Sequence, residues 1–113
     1  MTQAPPVNTS LQHVVLLKFP APLSEVEAEQ TRAMVARWPG DIGTLTELRF
    51  GADLTGTRTR GYQFLLVTVF PDADTLAAYV AHPVHQEFVR WLDDHDCERL
   101  AFDYYLDEST RFA

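Results

Sequence analysis

Seven consecutive residues, Tyr79-Val80-Ala81-His82-Pro83-Val84-His85, set a phenol and two imidazoles around one proline in a chain with four histidines in all. Imidazole is the side chain that takes or gives a proton near neutral pH. Proline at a first helical position fixes where the following turn points, which puts His85 at about the third position of a helix opened by Pro83. The partial positive charge of a helix N-terminus disfavours imidazolium. The neutral ring it favours is the form a general base requires. His85 shares a helical stripe with Phe88, Val89 and Leu92, so a core histidine bonded to backbone is the competing reading. Tyr79 can donate to a developing enolate or alkoxide oxygen, or it is a packed aromatic with its hydroxyl at the surface.

The remaining polar candidates divide by context. His82 precedes proline, which pushes it to extended backbone; it is expected to cap the break between two helices rather than do chemistry. His13 shares a strand face with Leu17 and Phe19 and either lines a cavity or fills the core. His95, in Asp93-Asp94-His95-Asp96, is expected at the surface. The pair His82 and His85 lies across a proline and lacks the spacing of a helical two-histidine metal site, so no metal is expected. Cys97 has only Arg99 as a cationic neighbour, which argues against a reactive thiol. No Gly-rich phosphate loop and no nucleophilic serine motif is present, and no cofactor is expected. Phe64, Leu66, Phe70, Phe88 and Trp91 would supply an apolar lining suited to a hydrophobic or aromatic small molecule. Arg58 and Arg60, in a polar loop, either gate a pocket or meet an acidic ligand, or are only solvated, as most such loops are.

The elements that must hold these residues are legible as punctuation and periodicity. Residues 11–19 are rich in β-branched and aromatic types and are stopped by Pro20 and Pro22, which predicts a strand. Ser24 followed by Glu27 is a capping-box signature, and Val26, Ala33, Met34 and Trp38 continue at helical spacing to Pro39-Gly40. That predicts a helix over 24–38. Residues 45–50 alternate as an edge strand does, 51–61 form a polar loop, and 62–70 are the strongest strand of the chain. Asp72 or Asp74 caps a helix running to Ala81. A second helix starts at Pro83, and residues 98–106 make the last strand.

The order is therefore β-α-β, β-α-β with the second crossover split, which gives an α+β fold: a four-stranded antiparallel sheet with helices on one face. Leu11, Val15, Leu17 and Phe19 oppose Val14 and Leu16, while Tyr62, Phe64, Leu66 and Phe70 oppose Leu65, Val67 and Val69. Both faces of the sheet are apolar, and two helices cover only one. A second copy of the same sheet is the simplest cover, so a homodimer is expected.

Composition narrows the function classes. A chain of 113 residues makes one domain. A formal charge of −7, with Lys18 as the lone lysine, argues against nucleic acid and anionic membranes. One cysteine forbids an internal disulfide and suits a reducing cytoplasm. Residues 1–10 read as a disordered lead without the features of a secretion signal, the domain as 11–106, and 107–113 as a polar tail.

These residues resemble the stress-responsive A/B barrel, or Dabb, family. The matching features are His13-Val14-Val15-Leu16-Leu17-Lys18-Phe19, then Gly61-Tyr62, Tyr79 with His82-Pro83-Val84-His85, and the closing Phe102-Asp103-Tyr104, together spanning about residues 11–106. The resemblance implies a ferredoxin-like βαββαβ protomer paired sheet to sheet as a dimeric α+β barrel. A member that looks similar is the plant polyketide cyclase making olivetolic acid, in which a tyrosine–histidine pair promotes aldol ring closure. By that likeness Tyr79 and His85 take the pair's places and His13 that of a further pocket histidine. Phe64 stands where the cyclase has a histidine, so its substrate does not carry over. The reading that follows is a small cofactor-free dimeric enzyme acting on a carbonyl-rich molecule, with His85 as base, Tyr79 as oxyanion partner and His13 helping to position substrate. The alternatives are a non-catalytic ligand-binding or stress-associated dimer, and a cofactor-free or haem-type monooxygenase of the same superfamily.

Overall fold

The structure is a computed structural model that describes residues 9–113; most of the lead expected over 1–10 lies outside the described residues. Strand β1 (Ser10–Lys18) is followed by helix α1 (Glu25–Ala36), a one-turn helix α2 (Trp38–Asp41) and strands β2 (Glu47–Ala52) and β3 (Phe64–Phe70). Helices α3 (Ala73–Ala81) and α4 (Pro83–Asp94) lead to strand β4 (Glu98–Leu106) and a 3-10 turn at Glu108–Thr110. The strands form one antiparallel sheet in the order β2–β3–β1–β4, a ferredoxin-like α+β fold.

Local chemistry explains most of the boundaries. The Ser24 hydroxyl accepts from the Glu27 N–H while the Glu27 carboxylate accepts from the Ser24 N–H, both at 3.1 Å, so α1 opens on a capping box. The first helix ends two residues earlier than its periodicity predicts. Trp38-Pro39-Gly40-Asp41 does not simply stop it but forms a turn of its own, because proline near a helix start needs no N–H partner. The Asp72 carboxylate accepts from the Thr75 N–H at 2.8 Å and caps α3. Residues Tyr62 and Gln63 fall outside β3; the Gln63 side chain instead accepts from the Phe19 N–H at 2.7 Å and closes off the end of β1. Gly61 has φ 93°, a left-handed turn conformation that favours glycine; the Lys18 side-chain end that a Cβ would meet at 2.9 Å is free to swing aside.

Register assigns the two faces. Leu17 lies opposite Phe64, Val15 opposite Leu66, His13 opposite Thr68 and Leu11 opposite Phe70, all towards the helices. Arg99, Ala101, Asp103 and Tyr105 of β4 share that parity. The core between sheet and helices contains Leu17, Trp38, Phe70, Tyr79 and Phe88, each 2% exposed or less. Cys97 is buried at its margin. On the opposite face lie Val14, Leu16, Leu65 and Val67 with Leu100, Phe102 and Tyr104 of β4. Phe102 is 68% exposed and Leu100 54%, so that face is open in the isolated chain. Among the described residues no helix is long and apolar enough to cross a membrane.

Candidate functional site

The break in the second crossover is built around His82. Its backbone is extended, at φ −65° and ψ 136°, and its Nδ1 accepts from the Val84 N–H at 3.1 Å. It ends α3 and caps α4 at once. Pro83 then occupies the first position of α4, and the turn it opens carries His85 back over Tyr79. The two rings lie 4.4 Å apart between centroids.

The tautomer of His85 follows from its partner. Nδ1 lies 3.1 Å from the Val80 carbonyl oxygen, which can only accept, so Nδ1 carries the proton. Nε2 is left with its lone pair. Burial pushes the basicity of this imidazole down, and the charges of His13 and His82 act the same way; the Val80 hydrogen bond opposes them without prevailing. The neutral ring is therefore the resting form.

Tyr79 is fully buried between Trp38, Phe70 and His85, at centroid distances of 5.5, 5.0 and 4.4 Å. Its hydroxyl is not at the surface, and it has no hydrogen-bond partner among the described residues; neither has the buried Thr68 hydroxyl. Burial pushes the phenol's ionisation upward, against a smaller lowering effect of Thr68. The phenol is a neutral donor.

His13 stands edge-on to Tyr79 at 6.1 Å. It lies directly opposite Asp103 in the β1–β4 ladder, and its Nδ1 pairs with the Asp103 carboxylate. That pairing places a proton on Nδ1 and fixes the orientation of the ring.

A cavity of about 300 Å³ opens against this cluster, lined by Tyr79, His85, Leu66 and Phe88 together with Val15, Leu17, Val89, Leu92, Ala101 and Arg99. Of the residues expected to act or to line a pocket, His85, Tyr79, Leu66 and Phe88 meet there. His13 lies behind Tyr79 rather than on the cavity wall. Phe64 stacks on Phe50 at 5.3 Å further along β3, and Phe70 is sealed beneath Tyr79. Trp91 turns to α1, where its Nε1 donates to Thr31 Oγ1 at 3.2 Å. His95, expected at the surface, is half-buried, with its Nε2 3.4 Å from the Glu27 carboxylate. Its ring packs 3.9 Å from Trp91, and its Nδ1 donates to the Trp91 carbonyl at 2.8 Å. The acidic run that suggests exposure is overridden by this helix-end hydrogen bond and by an edge contact with Phe19.

Arg99 and Asp103 were not singled out as site residues from the sequence. Arg99 reaches the cavity edge and pairs with Asp93. Their alternation with Ala101 along the last strand is the signal that could have placed them on the helix-covered face. Among the described residues no group of three His, Cys, Asp or Glu side chains is arranged to hold a metal ion.

Comparison with known proteins places this geometry in context. The profile of the family described as Stress responsive A/B Barrel Domain, Dabb, matches residues 11–106. No curated protein matches the chain. Among solved structures, a dimeric ferredoxin-like protein of unknown function from Thermobifida fusca is 25% identical over 88% of this chain and 93% of its own, with TM-score 0.75. A dimeric protein of ferredoxin-like fold and unknown function from Bacteroides fragilis is 20% identical over 86% and 96%, with TM-score 0.73. The hydroxynitrile lyase of Passiflora edulis is 18% identical over 88% and 94%, with TM-score 0.76, a likeness of fold. None of these three is described as a polyketide cyclase. With the profile running from the first strand to the last, the chain belongs to the stress-responsive A/B barrel domain family.

Proposed function

We propose that the protein is a homodimeric, cofactor-independent acid–base catalyst acting on a small, largely apolar carbonyl compound, with residues 11–106 as the working domain. The observation that supports this most is the His85 tautomer. The Val80 carbonyl ties up Nδ1–H, and Nε2 is left as an acceptor on a ring that lines an apolar cavity. In an aldol-type reaction Nε2 takes a proton from the carbon beside a carbonyl, and the C–H electron pair moves into the enolate. The Tyr79 hydroxyl donates to the enolate oxygen. The enolate carbon attacks a second carbonyl to form the C–C bond, and the alkoxide so formed takes the proton back from His85. Substrate and product are isomers, so the balance calls for no oxidant or reductant. His13, held by Asp103, positions Tyr79 from behind.

The homodimer rests on the open apolar face of the sheet and on the dimeric description of two structures that share the fold. A second reading, ligand binding without turnover, is favoured by one observation: the Tyr79 hydroxyl is sealed in this conformation.

The experiment is a turnover screen of di- and triketones in the ring-closing direction and of hydroxynitriles in the cleaving direction, with wild type beside His85→Gln. Loss of about 10²–10⁴-fold in kcat/KM is expected for removal of a general base. Unchanged turnover by His85→Gln on a confirmed substrate would sink the catalytic reading, and saturable binding without turnover would leave the second.

A further inference from the structure

The His85 cavity is apolar along its length but not at its far end. Helix α4 supplies His85, Phe88 and Leu92 to one wall, and β4 supplies Ala101 and Arg99 to another. From His85 to Leu92 the helix rises about 10 Å, and Arg99 pairs with Asp93, the residue after Leu92. The imidazole thus stands at one end of the cavity and the guanidinium at the other. Ala101 lies between them on the strand side, opposite Val15, and its small side chain leaves the path open.

Register fixes the guanidinium there. Arg99 sits opposite Leu17 in the β1–β4 ladder, so its side chain emerges on the helix-covered face beside the cavity. That side chain is 33% exposed, whereas Asp93 is 57% exposed and engages only Nη2. An ion pair so open to water is held weakly. Among the described residues Nε and Nη1 of Arg99 have no acceptor. A planar guanidinium offers its donors as a fork that matches a carboxylate.

Charge separates this cavity from its neighbours. Hollows of about 370, 330 and 390 Å³ elsewhere on the molecule have acids in their walls, Asp53 in the first two and Glu25 with Glu29 in the third. The His85 cavity has no acid in its wall, and beside the neutral imidazole Arg99 is its one charged residue. In a chain of net charge −7, a cation at the end of an apolar slot is what admits an anion.

We infer that Arg99 is a specificity-determining residue of this cavity: it anchors a carboxylate, so the ligand is a medium-chain keto acid with its carboxylate at Arg99 and its carbonyl at His85 and Tyr79. The carbonyl end rests on the acid–base reading proposed above, and the carboxylate end rests on Arg99 alone. Asp93 is then a competitor for the guanidinium.

Titration of the full chain at neutral pH with octanoate, and in parallel with its uncharged isostere octanamide, tests the anchor by amide chemical shifts without any turnover. Octanoate is expected to shift His85, Val89 and Ala101 saturably and to bind about tenfold more tightly than octanamide, the scale of one charge-assisted fork. Arg99→Gln is expected to erase that gap by weakening octanoate alone, and Arg99→Lys to restore part of it. Asp93→Asn, which frees the guanidinium, is expected to widen it; if Arg99→Gln does not fold, an unwidened gap in Asp93→Asn overturns the inference. It is also overturned if wild type binds the two ligands alike, if the gap survives Arg99→Gln, or if neither ligand shifts the cavity saturably. Selectivity for octanoate with no ketone turned over would sink the chemistry and keep the anchor, and turnover without selectivity would do the reverse.

Discussion

At the scale of the residue, His85 contributes a pH dependence of its own to the candidate site. Its folded-state pKa is depressed below the ordinary 6.5, chiefly by burial. The native ring resists protonation, so the stability tied to its neutrality is present above pH 6.5 and is lost as pH falls from there towards the folded value. A base of this kind also keeps its lone pair well into mild acid. We therefore expect the acidic limb of the rate profile to have its midpoint below pH 6.5 and to vanish in His85→Gln, as measured by kcat/KM across pH. The motif that holds His85 and Tyr79 was legible because proline fixes the turn between them. The pairing of His13 with Asp103 was not, since the register that sets β1 against β4 joins residues 90 apart. His95 shows the converse failure: three acidic neighbours suggest solvent, while a contact with Trp91 and Phe19 decides its place.

At the scale of the element, the split crossover is held by side chains on both sides of the break: His82 caps α4, and His85 and Gln86 donate back to the Val80 carbonyl of α3. His82 supplies the only side-chain acceptor at the start of α4, so His82→Ala is expected to cost about 0.5–2 kcal/mol and His82→Asn, which keeps an acceptor, much less. Denaturant midpoints separate the two. A second tie joins α1 to α4, because the buried Thr31 hydroxyl donates to the Glu27 carbonyl at 2.7 Å and accepts from Trp91. Thr31→Val keeps the shape and strands the indole N–H; a loss of about 1–3 kcal/mol in unfolding free energy is expected. Capping signals announced α1, α3 and α4 by residue type. The short α2 was hidden because Pro39-Gly40 reads as a terminator, whereas proline is equally at home at the start of a new turn.

At the scale of the whole molecule, the sheet has one face too many for its helices. Alternation in β1 and β3 foretold this, and β4 adds the most exposed members, Leu100 and Phe102. If two copies meet there, a charge placed centrally should separate them. Phe102→Lys is expected to sediment as a single protomer at micromolar concentration while wild type sediments as a pair, with helical content retained because residue 102 lies outside the helix-covered core. The fold class followed from the order and periodicity of elements. The cavities did not, because their walls join side chains from strands and helices that are far apart in the chain, and only packing decides which gaps stay unfilled.

Cys97 gives the molecule a built-in reporter of its own opening. The thiol is buried, its Sγ lies 3.4 Å from the Glu98 carbonyl, and burial raises its pKa, so both shielding and scarcity of thiolate protect it from disulfide reagents. With no other cysteine in the chain, labelling by a coloured aromatic disulfide should proceed at the rate at which the junction of α4 and β4 comes apart. Slower labelling in the presence of a tight occupant of the His85 cavity would then count breathing motions directly, without any engineered probe.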